Sequence, residues 1–430
     1  MNYKERLLKA IPGGAHTYSR GFDQFPENAP QILKRGEGAY VYDENESKFL
    51  DYGMALRAVH LGYANKRVNH AAFKQIDFGN NLTRASIIEL EAAELLIDIV
   101  DSVDMVKFTK NGSTATTAAV KLSRAYTGRT MIARCAENPF FSYDDWFIGS
   151  TPVTRGIPQK DIDGIKMFNY NKIESLERLF DKHPNQIACV ILEPAVNEHP
   201  KDNFLHKVKK ICHRNGAVLI FDEMWTGFRW HLKGAEHYYD IQPDLCTFGK
   251  AMANGFSVAA VAGKREIMEL GSIEFEGRER VFLLSTTHGA EMCGLGGFIE
   301  TMNFMKEHNV VEHIWKYGKK LVTMMNQLAK KYGIEKNFVA GGIDCSPYYL
   351  TFDKAGEVSL GLRTLFSQEM IKNNVLMPWI ALSYSHGEIE LEMTQNALEK
   401  TFVVYKKAVD EGFQKYLKGN VIKPVFRKFN

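Results

Sequence analysis

The feature that most constrains the fold of this chain is a series of short apolar runs separated by helical segments. The runs lie at residues 188–192, 217–221 and 245–248, after an earlier strand pattern at residues 106–108. A helix is predicted from about Thr114 to Tyr126, ended by Gly128. Runs that are apolar on both faces are typical of parallel strands covered by helices. The sequence therefore predicts an α/β fold with a mostly parallel sheet and functional groups at the carboxyl ends of its strands.

The patterns at both ends of the chain differ from this central rhythm. Aromatic and apolar residues alternate over residues 38–52 around a polar turn, which predicts an antiparallel hairpin. Ser86 and Glu89 form a capping box at the start of a helix. Amphipathic patterns at 310–332 and 360–374, with a short strand pattern at 348–352, predict a smaller α+β domain. We expect three parts: an N-terminal segment with the hairpin (1–60), a large cofactor-binding domain (61–300) and a small C-terminal domain (301–430).

The composition argues against several classes of partner. Fifty-four Lys and Arg against 51 Asp and Glu give a net charge of +3, too small to attract nucleic acid or an anionic membrane. No run of about eighteen apolar residues occurs, and the amino terminus has mixed charge, so we expect a cytoplasmic protein. The six cysteines stand singly, which favours reduced core thiols, and we expect no metal site.

A phosphate site is the first candidate for function. Gly112, Ser113 and Thr114 lie between a strand and a helix, where free backbone amides and the helix dipole suit a dianionic phosphate. An ordinary helix N-cap explains the same residues. The chain has no P-loop motif and no G-x-G-x-x-G after a strand, so the phosphate belongs to a ligand other than ATP or NAD.

Two charged residues directly follow apolar strands. Asp222 ends the run 217–221, where an acid either serves function or caps the next helix. Lys250 follows the run 245–248 beside Gly249, a position that favours an imine-forming amine over a surface charge. A phosphate cup, a strand-end Asp and a strand-end Lys together indicate a pyridoxal 5'-phosphate (PLP) site. In such a site the lysine forms the Schiff base and the ionised acid keeps the ring nitrogen protonated.

Three separate stretches carry a family resemblance. They are Pro12-Gly13-Gly14, the segment 221–229 (FDEMWTGFR) and the segment 243–250 (PDLCTFGK). In these stretches the chain resembles class III aminotransferases of fold type I, and within them the glutamate-1-semialdehyde 2,1-aminomutase-like branch. The resemblance implies a large domain with a mostly parallel sheet, a smaller α+β C-terminal domain, and PLP as cofactor.

The resemblance also implies roles at the cofactor. Lys250 is the Schiff-base lysine, Asp222 the partner of the pyridinium nitrogen, and Met224 an apolar contact on one ring face. The remaining implied cofactor contacts are Gly112, Ser113 and Thr114 at the phosphate, Phe140 (with Phe141 as alternative) stacked on the ring, the strand-end Glu193, Asn197 at the phenolic oxygen, and Thr287 at the phosphate of the neighbouring subunit. Thr114 stands where relatives usually have Glu.

The substrate side departs most from the aminomutase. Arg20 matches the arginine that holds the substrate carboxylate there, in keeping with the bidentate donors of a guanidinium. The segment 55–60 replaces a Trp-containing stretch and introduces Arg57 and His60. In this register Arg57 points toward the substrate opening, and a solvated surface position explains it equally well. Glu291 adds a polar contact for a hydroxylated substrate or organises its own loop.

Together these features predict a homodimeric, PLP-dependent aminotransferase with active sites shared between subunits. It would move an amino group from an amino-acid donor to a carbonyl acceptor, and analogy with similar chains suggests a keto sugar or a small phosphorylated carbonyl compound. Two alternatives are a glutamate-1-semialdehyde 2,1-aminomutase and a phosphate-metabolite binding protein without catalysis.

Overall fold

The computed structural model describes residues 2–195 and 197–430. Its strands are β1 (Leu33–Glu37), β2 (Tyr40–Asp43), β3 (Lys48–Asp51), β4 (Met105–Thr109), β5 (Met131–Cys135), β6 (Ile165–Phe168), β7 (Ile187–Leu192), β8 (Val218–Asp222), β9 (Leu245–Phe248), β10 (Ala259–Gly263), β11 (Phe338–Ile343), β12 (Ser346–Thr351) and β13 (Val375–Leu376). Its helices are α1 (Tyr3–Ala10), α2 (Met54–Arg57), α3 (Lys66–Asp77), α4 (Ile87–Ile99), α5 (Gly112–Thr127), α6 (Asp145–Ile148), α7 (Gln159–Asp163), α8 (Ile173–Lys182), α9 (Phe204–Arg214), α10 (Ala235–Tyr238), α11 (Arg265–Met268), α12 (Met292–Glu307), α13 (Val310–Lys331), α14 (Leu360–Lys372) and α15 (Glu388–Glu411). Within the residues described, none of these helices is both long and apolar enough to cross a bilayer.

The chain forms two compact units. Residues 66–311 form one of them, and residues 1–65 join residues 312–430 in the other. The first and last segments of the chain therefore share one unit. The domain limits at residues 60 and 300, which the sequence patterns indicate, stay a prediction.

The unit 66–311 is built on a seven-stranded sheet of order β4-β10-β9-β8-β7-β5-β6. All neighbouring strands are parallel except β10, which runs antiparallel to both β4 and β9. Every residue of β7, β8 and β9 is buried, as expected for strands covered on both faces. The predicted mostly parallel sheet is thus confirmed, with one antiparallel strand inserted.

Helices cover the sheet and fix its direction. α8 and α9 pack against alternate residues of β7 and β8, namely Val190, Leu192, Leu219 and Phe221, whereas α5 contacts β7, β8, β9 and β10. The helix predicted after the first strand is confirmed as α5, ended by left-handed Gly128. The carboxyl ends of β4, β5, β7, β8 and β9 meet at one edge, because these five strands run in the same direction.

The unit formed by the chain ends contains two small sheets. The predicted hairpin is confirmed as antiparallel β2 and β3, in a four-stranded sheet of order β1-β2-β3-β13. β11 and β12 form a second antiparallel pair. Packed aromatic rings of Phe338, Tyr349, Phe366 and Phe402 join this pair to α14 and α15. The predicted α+β character of the C-terminal region is confirmed.

Candidate active site

Asp222 is the last residue of β8 and is almost completely buried. Its Oδ1 accepts hydrogen bonds from the Met224 amide (3.0 Å) and from the Thr247 hydroxyl (3.0 Å). Burial raises the pKa of Asp222 to about 6, while the Lys250 cation and these two donors oppose the increase. Sequence reasoning missed Thr247. The available signal was a lone hydroxyl residue in an otherwise apolar strand.

Lys250 begins the turn after β9, and β9 is the strand adjacent to β8, which Asp222 ends. Its backbone is left-handed (φ +41°), an unfavourable conformation for a residue with a side chain. Strained backbone of this kind is concentrated at functional sites. Because β8 and β9 are parallel neighbours, the structure puts the predicted amine and acid at the same edge of the sheet, where the Lys250 cation opposes the increase in the pKa of Asp222.

Met224 connects three parts of the site. A Cβ atom added to Gly112 would lie 2.9 Å from the Met224 sulfur, and one added to Gly249 would lie 2.6 Å from it. Both distances are shorter than real Cβ contacts, so a side chain at either position would displace the Met224 thioether. The start of α5, the end of β8 and the lysine turn therefore converge around this thioether.

The start of α5 offers backbone donors. The Asn111 side chain caps the helix and accepts from both the amide (2.9 Å) and the hydroxyl (3.1 Å) of Thr114. The Ser113 hydroxyl accepts from the Tyr143 amide (3.2 Å). The amides of Gly112 and Ser113 have no acceptor within the helix, as in the first turn of any helix. These two amides and the dipole of a 16-residue helix suit an anion better than the hydroxyls do.

The aromatic segment after β5 contains exposed and buried rings, with Phe140 and Tyr143 exposed. Phe140 is 46% exposed, whereas Phe141 is 2% exposed and packs edge-on against Phe147. The segment is tied to α5, because the Thr116 hydroxyl donates to the Phe141 carbonyl (2.9 Å) and the Trp146 indole to the Thr117 hydroxyl (2.8 Å). Of the two phenylalanines, Phe140 has the ring that a ligand can reach.

Glu193 follows β7 and is buried. Its amide donates to Oδ1 of Asn138 (3.1 Å). The Nδ2 atom of Asn138 is buried without a hydrogen-bond partner among the described residues. An unpaired buried amide is costly, and a polar ligand would satisfy it. Asn197 is exposed.

The segment that contains Thr287 is held by α3 and its following turn. Thr287 is exposed, and the Asn81 side chain donates to its carbonyl (3.1 Å). Both oxygens of Glu291 are engaged, one by Lys110 (2.6 Å) and the other by Asn80 (3.0 Å). The bond from Lys110 lowers the pKa of Glu291. These contacts favour the interpretation that Glu291 organises its loop, and its role in substrate binding stays a prediction.

The predicted substrate residues Arg20, Arg57 and His60 all belong to the unit formed by the chain ends. Arg20 is exposed and lines a cavity of about 460 Å³ together with Asp51. His60 is fully buried, which favours a role inside the fold over contact with a substrate. A role of these three residues in substrate binding stays a prediction.

The cofactor candidates of the unit 66–311 fit PLP. An amine and a buried acid end adjacent strands, a helix start offers amides to a phosphate, and an exposed ring and an unpaired amide stand nearby. This is the arrangement of a fold-type I PLP enzyme, at the carboxyl ends of the strands.

Comparison with known proteins also indicates a PLP-dependent enzyme. Residues 23–343 match the family described as aminotransferase class-III, which is well over half of the chain. The chain therefore belongs to the class III aminotransferases, which are PLP-dependent enzymes. Membership sets aside the alternative of a binding protein without catalysis.

Individual relatives differ in reaction. Glutamate-1-semialdehyde 2,1-aminomutase of Francisella philomiragia is 30% identical over 425 residues, covering 94% of this chain and 96% of its own. The 3-aminobutyryl-CoA aminotransferase of Cloacimonas acidaminovorans is 30% identical over 421 residues, covering 95% and 97%. The structure of FumI from Sphingopyxis sp. MTA144 in its PLP internal aldimine form superposes with a TM-score of 0.87 at 25% identity, covering 95% and 97%.

Proposed function

We propose that this enzyme transfers an amino group from an amino-acid donor to a separate carbonyl acceptor. The observation that carries the proposal is the position of Lys250 and Asp222 at the ends of adjacent parallel strands, with Met224 between them and the start of α5. An amine and an acid that follow adjacent strands at one edge of the sheet are the two groups that a PLP site needs at its imine and at its ring nitrogen.

Lys250 is the residue that acts on the substrate. Its amine would hold the cofactor and, when free, would move a proton between the amine-bearing carbon of the substrate and C4' of the cofactor. Asp222 holds a proton on the ring nitrogen. PLP, when bound, supplies an electron-withdrawing ring that stabilises the carbon losing its proton.

The other residues orient the cofactor. Gly112 and Ser113 bind the phosphate through their amides, and Thr114 supports the helix start through Asn111. Met224 and Phe140 cover the two ring faces, and the smaller exposure of Phe141 supports this choice. Glu193 and Asn197 complete the site near the phenolic oxygen.

The acceptor is proposed to be anionic or hydroxylated, such as a keto sugar or a small phosphorylated carbonyl compound. Support comes from two arginines, Arg20 and Arg57, in the segment that carries the substrate residues of the aminomutase-like branch. His60 and Glu291 are weaker candidates because the first is buried and the second is paired with Lys110. The proposed location is the cytoplasm, on the basis of composition.

We further propose a homodimer in which Thr287 reaches the partner's phosphate. Large apolar side chains are exposed on α3, on α4 and in the turn between them: Phe73, Ile76, Phe78, Leu82, Ile87 and Leu90. Exposed apolar surface of this kind marks protein interfaces. The hydrogen bond from Asn81 places Thr287 beside this surface.

The second candidate is the aminomutase reaction, which the relatives at 30% identity favour. A mutase returns the amino group to the same molecule, whereas a transaminase must release its first product and admit a second compound. Replacement of the Trp-containing stretch by residues 55–60 supports the transaminase.

A half-reaction separates the two. Glutamate, alanine and other amino donors are added singly to the loaded enzyme, and we expect at least one to bleach the visible band and release one equivalent of keto acid. The Lys250→Ala variant serves as the control and should not turn over. If no donor acts while glutamate 1-semialdehyde is converted to 5-aminolevulinate, the protein is the aminomutase.

A further inference from the structure

Thr247 is the one hydroxyl residue of β9, and its side chain is completely buried. Its hydroxyl donates to Oδ1 of Asp222 (3.0 Å). The two residues are paired in register on adjacent parallel strands, so the sheet itself fixes their spacing. The Thr247 carbonyl also accepts from the Glu223 amide (2.9 Å), which holds the backbone on both sides of the contact.

The two carboxylate oxygens of Asp222 differ in the hydrogen bonds that they accept. Oδ1 receives both donors, the Thr247 hydroxyl and the Met224 amide. Oδ2 accepts no hydrogen bond from the described residues and is left for a ligand. We propose that Thr247 is a positioning residue, which fixes Oδ1 so that Oδ2 of Asp222 faces the ring nitrogen of PLP. The inference rests on the proposed role of Asp222.

The chemistry of position 247 supports this role. A buried hydroxyl is unfavourable unless it is hydrogen-bonded, and valine has nearly the same shape without that cost. Burial raises the pKa of Asp222. The hydrogen bond from Thr247 opposes this increase, because it stabilises the ionised carboxylate. The other charged groups that interact with Asp222 are Lys250 in the next turn and Glu223 beside it. Among the described residues, Thr247 is the side-chain hydrogen-bond donor to Asp222.

The test compares Thr247→Val with Thr247→Ser, which keeps the hydroxyl. Thr301→Val is the matched control, because the Thr301 hydroxyl is equally buried but donates to the Gly297 carbonyl within α12. Each variant is loaded with PLP. The measurements are the pH midpoint of the visible absorption band and the dissociation constant of PLP.

We expect Thr247→Val to raise the pH midpoint by roughly one unit and to weaken PLP binding about tenfold, the size of one hydrogen bond to a charged group. A less firmly ionised Asp222 leaves less positive charge on the ring, and the nitrogen that joins Lys250 to the cofactor then keeps its proton to higher pH. Thr247→Ser should stay near the wild type, as should Thr301→Val.

Asp222→Asn separates the two possible failures. If it shifts the midpoint while Thr247→Val does not, the role of Thr247 is wrong and that of Asp222 stands. If neither variant shifts the midpoint, the proposed role of Asp222 fails as well. Equal shifts for Thr247→Val and Thr301→Val would reduce the effect to general loss of packing and would also overturn the inference.

Discussion

At the scale of single residues, the most unusual backbone lies in the short turn α2. Met54, Ala55, Leu56 and Arg57 all have positive φ, from +40° to +69°, although none is glycine. Asp51 holds the turn by accepting from the amides of Gly53 (2.7 Å) and Met54 (3.0 Å). Left-handed backbone costs an L-residue roughly 1–2 kcal/mol, so this turn stores strain.

Replacing Ala55 by glycine should therefore stabilise the protein. Glycine removes the left-handed penalty but adds backbone entropy to the unfolded chain, and the expected net gain is about 0.5–1 kcal/mol. Ala58→Gly is the matched control. Ala58 is similarly half-buried but has right-handed backbone (φ −79°), and its replacement should cost about 0.5–1 kcal/mol. Urea unfolding measures both, and equal losses would show that residue 55 is unstrained.

Single residues also show what sequence can and cannot predict. The proximity of Asp222 and Lys250 could be predicted because each follows an apolar strand, and strand ends meet at one edge of a parallel sheet. Thr247 was missed because its contact with Asp222 depends on the register between two strands. None of the four left-handed residues Met54–Arg57 is a glycine, so their backbone conformation could not be predicted from residue type.

At the scale of elements, apolar runs located β7, β8 and β9, and the capping box of Ser86 correctly located the start of α4. β10 escaped prediction. Its sequence, Ala-Ala-Val-Ala-Gly, has few of the β-branched and aromatic residues that indicate a strand. Its strand conformation depends on pairing with β4 and β9 on either side. Small residues are tolerated there because the strand is buried between two neighbours.

Two buried acids, Glu223 directly after β8 and Glu236 in α10, have a pH-dependent effect on stability. Glu223 accepts from the amides of Ala235 (3.1 Å) and Glu236 (2.9 Å), and Glu236 accepts from the amide (3.0 Å) and hydroxyl (2.6 Å) of Ser102. Burial raises the pKa of Glu236 to about 8 from its usual 4.5, and it raises the pKa of Glu223 too. A raised pKa means that the folded state holds the proton longer than the unfolded chain does.

Protonated Glu236 makes its complete contribution to the free energy of unfolding below pH 4.5. This contribution is lost as the pH rises through about 8. Glu236→Gln is neutral throughout and escapes this loss. Between pH 5 and pH 9 the difference in unfolding free energy between the variant and the wild type should change by roughly 4 kcal/mol in favour of the variant, because most of the interval between the two pKa values lies in this range. Glu94→Gln, which removes an exposed charge on α4, is the control. A difference between Glu236→Gln and wild type that does not change with pH would contradict the raised pKa.

At the scale of the whole molecule, sequence patterns could not predict that residues 1–65 and 312–430 form one compact unit. β13 pairs in parallel with β3, so Val375 and Leu376 lie beside Leu50 and Asp51. A two-residue strand carries no periodicity, and its partner lies more than three hundred residues away. Local patterns predict elements, but pairing over such distances is determined by the packing of the complete unit.

The dimer with shared sites is the prediction that belongs to this scale. If Thr287 serves the partner's phosphate, an active site needs Lys250 from one subunit and Thr287 from the other. Lys250→Ala and Thr287→Trp subunits are each inactive as homodimers. In a heterodimer, one site combines the intact Lys250 of one subunit with the intact Thr287 of the other, and the second site carries both defects.

The two variants are co-expressed with different affinity tags and purified over both, so that only heterodimers remain. We expect such heterodimers to have about half of the wild-type activity per dimer, because one of two sites is sound. If Thr287 acts within its own subunit, each site of the heterodimer carries one defect, and the activity stays at the level of the parents. Wild-type subunits carrying both tags control for the purification. A fully active monomer in sedimentation analysis would contradict the shared site altogether, since the exposed apolar surface on α3 and α4 would then have another purpose.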